Sequence, residues 1–260
     1  MTMSFLLNDS LSEIEQAELP VSNRFHGGKT DPSASSNVTI IEEKLRLPAI
    51  GSVVSRKRLL DLLDKSIKQY GATLVSGRAG TGKTTLAAEF AVRQQKASWY
   101  TIEPADSDWR EFSAAFLACL FDKQRPNSAI FGSEPSEAAV SNLLSYTFSR
   151  LARQRIKPRL IVLDNVHHLF DAEWFSHFFR QLVISLDENA RLLMLCRSRP
   201  TAPLWRLRSK QMLNVIDESM LELNQQEAIQ IAQACDVSKE TALSALKRSY
   251  GRVGNFAKML

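Results

Sequence analysis

Gly77-Arg78-Ala79-Gly80-Thr81-Gly82-Lys83-Thr84 sets small residues, one amine and one hydroxyl at the spacing G-x-x-x-x-G-K-[ST]. Glycines let a backbone curl around an anion and aim its N–H groups inward. A helix opening directly behind them adds the partial positive charge of its N-terminus. In that setting the Lys83 ammonium reaches the outer phosphates of a nucleoside triphosphate, and the Thr84 hydroxyl is offered to magnesium. Four of the ten glycines fall between Gly71 and Gly82, which concentrates backbone freedom where such a loop needs it.

A second candidate lies 80 residues on, in Leu160-Ile161-Val162-Leu163-Asp164. A carboxylate ending a buried strand can hold the water shell of a magnesium ion opposite the loop threonine, so Thr84 and Asp164 are the candidate metal ligands. The next residue is Asn165, whose amide can orient a water but cannot accept its proton, so slow or absent hydrolysis is expected. His167 and His168 follow within one turn; they either pack and hydrogen-bond or partly substitute for the missing base. Together these residues imply binding of ATP with magnesium (Mg2+). The guanine-reading N-K-x-D pattern is absent, which leans toward adenine.

These side chains need a framework that brings chain-distant loops to one edge. Short apolar runs predict strands at Ala72–Ser76, Ser98–Ile102, Leu160–Asp164 and Leu192–Cys196, with a fifth at Met212–Ile216. Helices are expected at Lys83–Gln95, Trp109–Phe121, Ser136–Gln154 and Ala172–Leu186. Another precedes the first strand, with Leu59, Leu60, Leu62, Leu63 and Ile67 on one face. This alternation is that of an α/β fold, a five-stranded parallel sheet flanked by helices on both faces. Residues 1–43 are polar and aperiodic and read as a disordered leader. Within them Gly28-Lys29-Thr30 lacks the strand and first glycine of a phosphate loop. The nucleotide-binding domain spans 44–222, and 223–260 reads as the start of a helical subdomain, with helices at Gln225–Ala234 and Lys239–Tyr250.

At 260 residues and 44% hydrophobic content the chain can bury a substantial core, and its net charge of +5 suits a phosphate-bearing ligand as well as nucleic acid. Cys119, Cys196 and Cys235 fit neither zinc nor disulfide spacing and read as buried packing residues of a reducing, cytoplasmic setting. No run of about 18 apolar residues offers a membrane span.

Beyond these motifs the chain resembles the STAND group of signal-transduction ATPases, in particular the nucleotide-binding domain of MalT-like, LuxR-type transcriptional regulators. The likeness runs from about Lys44 to the C-terminus. It rests on Leu45 to Pro48, on Arg56 before a leucine-rich helix, and on Ala79 to Thr85 as A-G-x-G-K-T-T. It continues through Trp99 to Glu103 with Asp106, Asp108 and Phe112, through Leu163-Asp164-Asn165-Val166-His167, and through Cys196 to Pro200 with Leu204 to Arg208 beyond. The resemblance implies that Thr85 and Arg56 join Gly77, Arg78, Ala79, Gly80, Thr81, Gly82, Lys83 and Thr84 at the nucleotide. It also implies that Arg197 senses the γ-phosphate and that Asn165 replaces a second aspartate. Family members continue into a winged helix, a repeat sensor and often a helix-turn-helix, whereas this sequence stops at Leu260. That implies a fragment, a short relative, or a protein working with a separate partner.

Three readings remain open from sequence. One is a nucleotide-dependent switch that binds a protein partner or itself on binding ATP. The second is an ATPase helper acting on DNA through Arg150 to Arg159 and Arg197 to Lys210, without a recognisable helix-turn-helix. The third is a scaffold that holds its nucleotide permanently.

Overall fold

The computed structural model describes residues 42–51, 54–121, 134–154 and 159–260. The expected leader lies outside them apart from Glu42 and Glu43, and so does Gly28-Lys29-Thr30. In chain order the elements begin with α1 (Lys57–Tyr70), β1 (Ala72–Ser76), α2 (Lys83–Val92), β2 (Ala97–Thr101) and α3 (Trp109–Leu120). Next come α4 (Glu137–Ala152), β3 (Arg159–Asp164), α5 (Phe175–Ser185), β4 (Ala190–Cys196), α6 (Ala202–Ser209) and β5 (Asn214–Ile216). A short α7 (Glu218–Leu221) leads into α8 (Gln225–Ala234), α9 (Lys239–Ser249) and α10 (Val253–Ala257).

All five strands run parallel in the order β2-β3-β4-β1-β5. Because side chains alternate across a strand, each apolar run supplies both faces. Ile161, Leu163, Leu192 and Met194 enter the layer built with Phe112, Phe116, Leu143, Phe178 and Leu204 of α3 to α6. Leu160, Val162, Leu193 and Leu195 enter the opposite layer, against Leu59 and Leu63 of α1 and Leu86 and Phe90 of α2. The parallel register also aligns the strand ends, with Ser76 opposite Cys196 and Thr101 opposite Asp164, so the loops after β1, β3 and β4 open at one edge. In open α/β sheets ligands bind at that edge.

Helix starts follow local side-chain chemistry. Asp108 accepts from the amides of Arg110 and Glu111, and Ser136 accepts from that of Ala139. Several elements differ from the sequence reading: α2 ends at Val92 and not Gln95, and α7 and α10 are additional. The fifth strand keeps only Asn214–Ile216. The helix expected from Ala172 starts at Phe175, and Trp174 just before it donates its indole N–H to the Ser107 carbonyl at 2.9 Å. Residues 202–209, read as a basic segment, are a helix, with Pro in the first turn and Leu204 and Leu207 buried.

Phe112 lies at the centre of the larger layer, its ring centroid 4.5 Å from Trp174 and 4.9 Å from Phe178. Phe112→Ala should cost about 3–5 kcal/mol in chemical denaturation. A loss below about 1 kcal/mol would mean that this cluster is not the core of the domain.

Candidate nucleotide-binding site

The chain leaves β1 at Ser76 and turns at once, the Gly77 amide donating to the Cys196 carbonyl at 3.2 Å. Gly80 and Gly82 take φ of +80° and +82°, the left-handed region that glycine enters without strain. Lys83 then opens α2. Its ammonium is buried and curls back onto the loop, donating to the carbonyls of Gly77 and Arg78 and to the Thr81 hydroxyl, the last two at 2.8 and 3.3 Å. A bound phosphate would compete for that ammonium.

The Thr84 hydroxyl donates to Asp164 Oδ2 at 3.0 Å, and the Asn165 amide donates to Asp164 Oδ1 at 2.8 Å. Burial pushes the Asp164 carboxyl up, opposed by these two hydrogen bonds and by the charges of Lys83 and Arg197. Burial likewise lowers Lys83, with Asp164 the foremost opposing charge. A hydroxyl and a carboxylate side by side form a hard-oxygen pair suited to magnesium. Asn165 adopts φ 60°, a left-handed conformation open to Asn and Asp. Arg197 is exposed beside this group, and its charge acts on Lys83, Asp164 and His167.

His167 is depressed to about 4, first by burial and then by His168, Arg197 and Lys83, so it is neutral at pH 7. Its Nδ1 is buried without a partner, and its ring centroid lies 4.3 Å from that of His168. The unfolded chain, at 6.5, holds this proton more tightly than the fold does. The contribution of His167 to stability is therefore complete above about 6.5 and lost as pH falls toward about 4. Thermal midpoints measured across that window should fall less steeply for His167→Gln than for the natural chain. Parallel curves would contradict the depressed value.

Beside the loop lies a cavity of about 800 Å³ with Gly80, Gly82 and Thr85 on one side and Ile231, Val253 and Gly254 on the other. Its size is within the range of about 300–1,000 Å³ typical of small-molecule sites. The two walls touch. The Gly254 amide donates to the Gly80 carbonyl at 2.8 Å, and a Cβ on Gly254 would stand 2.9 Å from that oxygen. A Cβ on Gly82 would meet Val253 at 2.9 Å. Glu218 adds an ionic tie, binding the Arg78 amide at 3.0 Å and its guanidinium at 2.9 Å, with Arg252 at 3.5 Å.

Arg56 also lines this cavity. It bonds Glu227 at 2.9 Å and the Glu222 carbonyl at 3.0 Å, while its buried Nε has no partner. Arg58 reinforces Glu227 at 3.1 Å, and these hydrogen bonds outweigh burial and hold the Glu227 carboxyl low. The fold thus gathers Lys83, Thr84, Asp164, Asn165 and Arg197 on one side of the loop and Arg56 and Thr85 on the other. Arg78 turns to Glu218, and Ala79 is exposed at the loop tip. Cys119 and Cys196 are buried as expected, but Cys235 is exposed, because it ends α8 at the cavity wall instead of facing a core.

Sequence reasoning missed Glu218, Glu227 and Gly254. The Asn224–Glu227 capping box was readable as a helix start, but its bond to an arginine 171 residues away was not. Gly254→Ala should force the walls apart. Overpacking of about 1–3 kcal/mol then makes tryptic cleavage after Arg248 or Arg252 roughly tenfold faster or more, with the sheet intact. Unchanged cleavage would mean that the contact does not hold α10 in place.

With the geometry in hand, comparison with known proteins is specific. The chain matches the AAA ATPase domain over residues 53–195, more than half its length. It is 29% identical over 195 residues to the HTH-type transcriptional regulator MalT of Yersinia enterocolitica, covering 74% of this chain and 21% of that protein. The chain thus spans about a fifth of that relative's length. A STAND protein with a tetratricopeptide repeat sensor from Pyrococcus horikoshii superposes with a TM-score of 0.55 at 17% identity, over 79% of this chain and 29% of that one. The Aeropyrum pernix ORC1 protein, solved in complex with DNA, gives 0.53 at 14% identity, over 81% and 59%. At such identities these two likenesses speak for the fold alone. The chain belongs to the AAA ATPase domain family, has the fold of P-loop NTPases and is similar in sequence to MalT.

Proposed function

We propose that the chain is an ATP-dependent switch in transcriptional regulation, working in the cytoplasm with slow or absent hydrolysis. The observation that carries this reading is the hydrogen bond from Gly254 to Gly80, which joins the phosphate loop to the C-terminal helices. Triphosphate binding engages Lys83 and the loop amides, and the ribose and base enter the cavity whose far wall is α8 and α10. Thr84 and Asp164 would hold magnesium, which supplies charge neutralisation along the phosphates. Arg197 reads the γ-phosphate, because a guanidinium stays charged and grips phosphate oxygens in a fork.

Magnitudes show what the switch requires. Reversing a two-state balance from about 1:99 to 99:1 takes about 5.5 kcal/mol of differential binding. One backbone hydrogen bond supplies about 0.5–1.5 kcal/mol. The Gly80–Gly254 bond therefore transmits the change only together with the ties at Glu218 and Glu227 and the ligand's own contacts with Ile231 and Val253. A protein partner, or a second copy, recognises the helices in the position so selected. Resemblance to MalT supports a regulatory role. Among the described residues no helix is long and apolar enough to cross a membrane.

Retention and turnover of radiolabelled ATP test this reading. Lys83→Ala should lower affinity about 10-fold to 100-fold, the loss of charged hydrogen bonds. Asn165→Asp keeps binding and, by restoring a proton acceptor, raises turnover by up to about 100-fold. Natural affinity in Lys83→Ala would refute the site, and unchanged turnover in Asn165→Asp would refute the role given to Asn165.

A further inference from the structure

From Leu192 to Ile216 the chain carries no carboxylate, while it carries Arg197, Arg199, Arg206, Arg208 and Lys210. All five are exposed, and among the described residues none is held in an ion pair. Asp217 feels the charge of Arg208, but the two are not bonded. Leu204 and Leu207 anchor α6 from below, at 0% and 4% exposure, so its outer half presents Trp205, Arg206 and Arg208 to solvent, with Lys210 just past its end. Trp205 is 40% exposed, and the Arg208 guanidinium lies 4.7 Å from its ring centroid. In the basic stretch from Arg150 to Arg159, the two end arginines are engaged with the fold. Arg159 is buried against Ser98 and the Leu120 carbonyl, and Arg150 stacks on Phe121.

We propose that α6 and the loop entering it form a nucleic-acid-binding face, with Arg199, Arg206, Arg208 and Lys210 on backbone phosphates, Trp205 stacking on a base, and Arg197 left to the nucleotide. This goes beyond the nucleotide switch and does not depend on it. Cations with no carboxylate among them, on α6 and at its two ends, suit a polyanion, and each phosphate neutralised releases a counterion. An exposed tryptophan flanked by arginines is the stacking element of single-strand sites, where every base offers a π-face. Tryptophan and arginine also suit protein interfaces, but a stretch with no carboxylate among its cations favours a polyanion.

Fluorescence anisotropy of the full chain with a labelled single strand, and with its duplex, tests the proposal. Engagement of about four phosphates gives a log–log salt slope of about −2.8 for the single strand and about −3.6 for the duplex. Arg206→Glu with Arg208→Glu should weaken both at least tenfold and flatten the slope, with ATP retention and circular dichroism unchanged. Lys65→Glu with Lys247→Glu, the same change of net charge elsewhere on the surface, should have little effect. Trp205→Ala should weaken the single strand about fivefold or more while sparing the duplex. Equal weakening by both double variants would overturn the proposal, because net charge alone would then act. So would failure to bind either nucleic acid at low salt. A change in oligomeric mass on Arg206→Glu with Arg208→Glu, with no nucleic acid bound by the natural chain, would assign the face to a second copy and overturn it as well.

Discussion

The Gly80 carbonyl and the Gly254 amide meet at 2.8 Å with no room for a side chain on Gly254, and this backbone contact ties the chemistry of the loop to the C-terminal helices. Hydrogen bonding between two backbones fixes distance more tightly than long side chains can, because neither partner has rotamers to exchange. Around it stand longer-reaching ties, Glu218 to Arg78 and Arg252, and Glu227 to Arg56 and Arg58. The Arg56–Glu227 pair is buried at both ends, so removing one partner strands the other charge. The helices beyond Leu223 have a small core of their own in Leu223, Ala228, Ala232, Ala242, Ala245 and Phe256. That core holds them together while the glycine contact and the ion pairs set where they sit on the loop.

On the other side of the loop the governing constraint is the burial of opposite charges. Lys83 and Asp164 both lose hydration, which lowers the ammonium and raises the carboxyl, and nearby partners act beside them: loop carbonyls accept from the ammonium, and Thr84 and the Asn165 amide donate to the carboxylate. A phosphate or a metal would therefore exchange places with protein partners at these groups. The parallel sheet makes this possible by ending β1, β3 and β4 at one edge, which brings together residues 80 positions apart.

Legibility from sequence followed range. The phosphate loop was readable because its eight residues act as a unit, each with a local backbone or charge requirement. Asp164 was readable because an apolar run ended in a carboxylate. The strands were readable to within two residues at most edges because both of their faces are buried, which gives unbroken apolar runs. Helix α6 escaped because its apolar stripe is only Leu204 and Leu207, set among cations. Glu218, Glu227 and Gly254 escaped because their partners lie 140 to 174 positions away, and nothing in the flanking residues encodes that distance. Cys235 was misjudged for a related reason: its helix packs by Ala228 and Ala232, and its end faces the cavity.

If nucleotide on the loop governs the placement of these helices, the amides of α10 must register it. The most direct measurement is hydrogen–deuterium exchange of the segment Arg252–Ala257 in the full chain, with and without ATP and magnesium. A changed exchange rate for that segment, while β1, β3 and β4 stay as protected as before, is the expected result. Identical exchange in α10 with the loop saturated by nucleotide would contradict the coupling and leave a site that binds ATP without moving anything.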